Sequence, residues 1–253
     1  MDALKDLVAL SRAVGRRDED CAILGEGNTS ARADESSFWV KASGTSLAAI
    51  DEEGFVRVSF AGVLRLLAIP SPDAATIQRV YEEAKLDRAQ KRRPSVETLF
   101  HAVCLSLPGI SFVAHTHPAP VNMLCCSATF PESLKGRMYP DEVVWLGMDS
   151  VFVPYVDPGL ELARELRPAL AAYEQRLGET PRVIFMQNHG LVAMGTTRAA
   201  AESTTFTAVK AARVRLGAMA AGGIRLLPES EVRRIAGRPD EAYRMKMAQE
   251  QRT

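Results

Sequence analysis

Cysteine is scarce in this chain. Cys21, Cys104, Cys125 and Cys126 are too few and too irregularly spaced for a disulfide framework or a CxxC zinc knuckle, so reduced thiols are expected, the adjacent pair packing as small apolar side chains. Net charge is lacking too, with 31 Lys plus Arg against 31 Asp plus Glu and a pI near 6.9, which leaves no basic field to drive counterion release and excludes nucleic acid as the expected partner. No apolar run approaches the roughly 20 residues of a membrane span, and the first residues carry acids where a signal peptide carries bases. The expectation is a cytoplasmic protein with no membrane contact. Linkers, low-complexity tracts and repeats are also missing, which predicts one domain over residues 1–253. What remains is 47% hydrophobic and 25% charged, an ordinary globular balance. A core of that size stands without disulfides or a structural metal, so a metal found here is expected to serve chemistry.

Leu4, Leu7, Val8 and Val14 share one face of an opening amphipathic helix. Residues 21–46 then read as a short strand, a Gly-rich turn, a strand through Ala31, the turn ADESS and a strand over Phe38 to Ala42. FVRVSF predicts another strand, with Ser59 as N-cap of a helix that stops at Pro70. Helices are predicted from about Ala74 to Ala89, from Ser95 to about Leu107, around Val121 to Cys126, over Leu160 to Leu177 and over Ala199 to Ala221. Strands are predicted in ISFVAHTH, in SVFVPYV and as a pair in RVIFMQNHGLVAMG. This interleaving predicts an α/β fold of three layers, α/β/α. Its hairpins require the central sheet to be mixed and largely antiparallel.

Two of only four histidines, His115 and His117, stand two apart at the end of an apolar strand. Side chains at i and i+2 leave one face of a strand roughly 6.5 to 7 Å apart along the chain, so both imidazoles can converge on one ion. His189 lies between two apolar runs directly before Gly190, where the backbone can turn and push an imidazole out of a sheet end. Three nitrogen donors with open positions left over describe a catalytic zinc site more than a structural one. Glu97 and His101 sit one helical turn apart, and either can approach such a site. Glu97 is the favoured working group, since a carboxylate beside a divalent cation serves as weak ligand or as general base. The loops around Gly25 to Ser30 and Ser43 to Ser46, with Ser95, form a candidate anion cradle. GEGNTS is neither a dinucleotide fingerprint nor a P-loop.

Taken in order, GEGNTS, KASGTSL, PSVETLFH, HTHP, PYVDPG and MQNHG resemble the class II aldolase/adducin family over roughly residues 5 to 220. The PS-x-ET form of the glutamate motif is similar to that in the aldolase part of rhamnulose-phosphate aldolase and dehydrogenase fusions, whose dehydrogenase half has no counterpart in these residues. The resemblance implies a class II aldolase-like fold and a carbon–carbon lyase acting on a sugar phosphate or sugar acid. It further implies a divalent metal on His115, His117 and His189, zinc first, with manganese, iron or cobalt as alternatives. Glu97 would be the catalytic acid/base that also touches the metal, and Asn28, Ser43, Gly44 and Ser95 the phosphate-binding positions. Val96 departs from a second serine found in several sugar-phosphate aldolases, which puts a phosphorylated substrate in question. Decarboxylation of 3-oxo sugar acid phosphates, 4-epimerisation of pentulose phosphates and a non-catalytic adducin-like module are the alternatives. Homotetramers with Tyr243 of a neighbouring copy completing the site are the implied assembly.

Overall fold

The computed structural model describes residues 2–250, the last by its backbone alone. At the amino end the Asp2 carboxylate accepts from the Leu4 and Lys5 amides, capping α1 (Ala3–Val14), which buries Leu7, Leu10, Ser11 and Val14. The chain then forms β1 (Asn28–Arg32), β2 (Ser37–Lys41) and β3 (Phe55–Ser59). Ser59 caps α2 (Phe60–Leu64) through its hydroxyl on the Gly62 amide, and α3 (Ala74–Ala84) and α4 (Thr98–Leu105) follow. Next come β4 (Phe112–Thr116), α5 (Ala119–Cys125), α6 (Pro140–Leu146), β5 (Val151–Val153) and α7 (Leu160–Leu177). The hairpin β6 (Val183–Met186) and β7 (Gly190–Gly195) leads into α8 (Arg198–Ala220), α9 (Glu229–Ala236) and α10 (Pro239–Glu250).

The strands make one sheet in the order β3-β2-β1-β4-β7-β6-β5. Only β5 and β6 run parallel; every other pair is antiparallel, so the sheet is mixed and largely antiparallel as the hairpins required. Alternate strand residues feed opposite faces. Val113, Ile184, Met186 and Val192 meet buried side chains of α2, α3, α4 and α7. On the other face Ala31, Phe112 and Ala114 pack under α1, while Val183, Phe185 and Leu191 pack under α5, α6 and α8. These are the three layers of the expected α/β/α arrangement.

Three local readings differ from expectation. Residues 21–24 form no strand, running irregularly into a turn at Leu24, which sits in the left-handed region at φ 52° where an extended strand cannot run. Helix α3 ends five residues early, because Lys85 turns extended and bridges Val58 while the Leu86 amide donates to Arg57 O, committing this stretch to the edge of β3. Helices α6 and α9 were not anticipated; they pack on each other through Val143, Val144, Val232 and Ile235. No helix among the described residues is long and apolar enough to cross a membrane.

Candidate metal centre

Strand register assembles the site. Asn28 on β1 stands directly opposite His115 on β4, which stands opposite Val192 on β7. Ser30, two residues from Asn28, projects toward the same α4 layer. His117 leaves the end of β4 with its amide bonded to Cys21 O at 2.8 Å, so the segment that failed to form a strand anchors this histidine instead. His189 is carried by the three-residue turn between β6 and β7. There Asn188 takes a left-handed φ of 50°, which asparagine tolerates, and the His189 amide donates to Met186 O.

The three imidazoles meet. Ring centroids are 4.7 Å apart for His115 and His117, 4.8 Å for His115 and His189, and 5.3 Å for His117 and His189. Their candidate ligand atoms all lie within 4.8 Å of one another, the single such donor group among the described residues. The four cysteines are free and stay out of it: burial pushes the thiols of Cys21, Cys104 and Cys125 up to about 12, and Cys126 is exposed.

Whether these residues suit a cation follows from their tautomers. His115 Nδ1 donates to Leu191 O at 2.9 Å, and His117 Nδ1 faces Glu26 Oε2 at 3.4 Å. Each ring therefore keeps its proton on Nδ1 and turns an Nε2 lone pair inward, the arrangement outer carboxylates and carbonyls impose on metal-binding histidines. The two Nε2 atoms are 3.0 Å apart with no proton left to share. Two such lone pairs repel unless a positive charge stands between them, so the donor set fits a divalent ion. Burial disfavours the imidazolium and holds His115 down to about 3, and it lowers His117 as well, so both rings are neutral and ready to ligate at physiological pH.

Glu97 borders the same space. It stands at the N-cap of α4 with φ −94° and ψ 8°, one residue before the helix in which it was expected, and it and His101 still point the same way, meeting the two ends of the Asn28 amide. Its Oε2 accepts from Asn28 Nδ2 at 2.6 Å and lies 3.5 Å from His115 Nε2, while Oε1 lies 3.3 Å from His189 Nε2. Oε1 is buried and has no hydrogen-bond partner, a second sign of a cation-accepting position. Burial opposes the carboxylate charge, but His115, His189 and the Asn28 amide together outweigh it and hold the Glu97 carboxyl below its usual range.

The remaining anticipated residues divide. Asn28 and Ser95 are buried and bonded to each other at 3.3 Å beside Glu97. Ser43 and Gly44 lie exposed at the end of β2, and the Ser43 amide is already bonded to Arg93 O at 2.9 Å. Val96 is 66% exposed. Tyr243, also 66% exposed, sits on α10, which packs against α6 and α8, and it takes part in none of the hydrogen bonds or ring contacts of the histidine cluster. Two contributors escaped sequence reasoning. Glu26 holds His117, and buried Lys41 staples the GEGN loop from beneath through Gly25 O and Gly27 O, both at 2.9 Å. A lysine closing an apolar strand next to a glycine-rich loop was the available signal for the second; the first depends on a loop path no periodicity encodes.

Gly190 is needed for close approach: a Cβ there would fall 2.6 Å from Thr116 O and 2.8 Å from His117 Cδ2. Gly190→Ala is therefore expected to cost about 1–3 kcal/mol of stability and to weaken metal binding at once. Denaturant unfolding of the metal-free protein and competition with a chelating dye read the two effects; a variant unchanged in both contradicts the contact.

The family profile described as Class II Aldolase and Adducin N-terminal domain matches residues 5–216. The chain is 28% identical over 218 residues to the uncharacterized oxidoreductase YuxG of Bacillus subtilis, covering 83% of this chain and 29% of that protein, so it spans less than a third of that relative. It is 29% identical over 179 residues to methylthioribulose-1-phosphate dehydratase of Microcystis aeruginosa, covering 67% of this chain and 74% of the dehydratase. Among solved structures, an L-fuculose 1-phosphate aldolase superposes with a TM-score of 0.69 at 18% identity, covering 93% of this chain and 94% of the other.

Proposed function

Because the chain belongs to the class II aldolase and adducin family, we propose that it is a metal-dependent carbon–carbon lyase performing reversible aldol cleavage of a sugar phosphate or related hydroxy-carbonyl compound. The observation that carries this reading is the convergence of three imidazoles from two separate stretches of chain, with the unpartnered Glu97 Oε1 3.3 Å from one of them. A divalent ion held by His115, His117 and His189, zinc first, would polarise the substrate carbonyl and stabilise the negative charge that develops when the carbon–carbon bond breaks.

The chain's own groups handle the protons. As the bond between the carbon next to the carbonyl and the hydroxyl-bearing carbon breaks, the hydroxyl loses its proton and an aldehyde leaves. The electron pair left beside the carbonyl takes a proton from Oε1 of Glu97, which must first pick one up from solvent, while Asn28 keeps Oε2 in place. In the condensation direction the same oxygen removes that proton. We assign the relay of the departing hydroxyl's proton to Tyr243 of a second copy in a homotetramer, its phenol passing its own proton to solvent as it accepts that one, a role that suits its exposure. Ser43, Gly44 and Ser95, with Asn28 once its longer bond to Ser95 is exchanged for the anion, would hold the anionic end of the substrate, phosphate or carboxylate, and Val96 supplies an apolar wall where a second hydroxyl is missing. A small-molecule substrate and a cytoplasmic location complete the proposal.

A second reading is dehydration, favoured by the likeness to the dehydratase. It uses the same proton removal beside a carbonyl but expels water in place of an aldehyde. Decarboxylation and 4-epimerisation differ in product alone. The test is a panel of ketose 1-phosphates and 3-oxo sugar acid phosphates, assayed with and without chelator for aldehyde, water loss, carbon dioxide and epimer. Chelator-sensitive aldehyde release is expected. Water loss with no aldehyde selects the second reading, and protein that neither binds metal nor turns over any member is the adducin-like module instead.

A further inference from the structure

Both amide protons of Asn28 are already engaged within the protein. Its Oδ1 meets His101 Nε2, and its Nδ2 donates both protons, to Glu97 Oε2 at 2.6 Å and to Ser95 Oγ at 3.3 Å. The side chain is 4% exposed. An amide has an acceptor end and a donor end, and nothing intrinsic to asparagine decides which way round it sits. Turned over, it would set Oδ1 against a carboxylate oxygen, acceptor to acceptor, and release Glu97.

The carboxylate end dictates one direction for the whole chain of contacts. Ionised Glu97 only accepts, so Asn28 Nδ2 donates and Oδ1 accepts. His101 must then carry its ring proton on Nε2, which leaves Nδ1 as an acceptor for the Ser30 hydroxyl 2.6 Å away. His101 and Ser30 are wholly buried, and the His101 ring is clamped in a stack on Phe100 with centroids 4.4 Å apart. With Nε2–H in that place, only the acceptor end of Asn28 can face it.

We propose that His101 is a positioning residue for Glu97: as the Nε2–H tautomer it locks the Asn28 amide onto Oε2, which leaves Oε1 as the oxygen that moves the proton. Asn28 accordingly serves the carboxylate before it serves any substrate anion. The proposal rests on the acid/base role assigned to Glu97 above.

Two measurements test it. In histidine 15N spectra of the metal-free protein, one ring that disappears in His101→Phe is expected to carry its proton on Nε2. A proton on Nδ1 would reverse the chain of donors and overturn the proposal. In kinetics on the turned-over panel substrate, normalised to bound metal, His101→Phe is expected to lose about 10- to 100-fold in kcat with KM within about threefold. His101→Gln, whose amide can still donate to Asn28, is expected to recover most of that loss. An unchanged kcat in His101→Phe, or a loss in His101→Gln as deep as in His101→Phe, overturns it. If the wild type turns over nothing on the panel, the lyase reading fails by itself, and the tautomer measurement still decides the role of His101.

Discussion

Replacing His115 by alanine is expected to strip the protein of its divalent ion and to lower turnover by at least about 10³-fold, the equivalent of the several kcal/mol a Lewis acid contributes to such chemistry. The residue is fully buried, its Nε2 is 3.0 Å from that of His117, and its Nδ1 proton is taken up by Leu191 O. Alanine removes one of three nitrogen donors and the orientation of a second, because the His117 ring rests edge-on against it. It also leaves Leu191 O without its partner and a cavity where the ring stood, a further cost of about 1–3 kcal/mol. Metal analysis after dialysis reads the main effect: about one ion per wild-type chain is the expectation for a three-histidine centre, and close to none per variant chain. A variant that keeps its ion removes the centre from consideration.

Glu97→Gln is expected to behave in the opposite way, keeping the metal while losing roughly 10²- to 10⁴-fold in kcat, the usual worth of a positioned acid/base group. Glutamine has the shape of glutamate, and its carbonyl can accept from Asn28 as Oε2 does, so the three imidazoles are left undisturbed. What disappears is the basic oxygen at the Oε1 position. Since its surroundings favour the Glu97 charge over the neutral form, the neutral replacement is expected to lower the stability of the metal-free fold modestly. Falling turnover, a retained ion and only a modest loss of stability form a signature that simple misfolding cannot imitate. Metal content, kcat and denaturant midpoint measured on one preparation check all three together.

The histidine pair was legible in the sequence because period-two spacing has a fixed geometric meaning and histidine is rare in this chain. His189 was legible because the glycine after it marks a turn between two apolar runs. The mixed sheet followed from hairpin-sized turns, whereas its strand order did not: β1 pairs with β4 across an intervening hairpin and three helices, a long-range choice that local patterns do not carry. Glu97 was identifiable by type but misplaced, since the backbone leaves helical geometry at that residue. Ser30 was visible as part of the candidate anion cradle and His101 as able to approach the metal site, but neither as the other's partner. Their partnership spans 71 residues of separation and depends on the register of β1 against α4. Helix α6 was missed because PDEVVWL is too short for its period to be told from that of a strand.

The fourth of seven strands is the stiffest seat a sheet has, and β4 occupies it with both flanks hydrogen-bonded. Backbone opening there demands disruption of the entire sheet, so slow amide exchange over residues 112–116 should report the global unfolding free energy. An ion bound to His115 then protects the molecule as a whole, by an amount set through mass action. The ion-bound protein should therefore melt at a higher temperature than the metal-free protein, by a margin that grows with free ion concentration. A substitution that strengthens a distant layer would, by the same linkage, raise the temperature up to which the ion is retained.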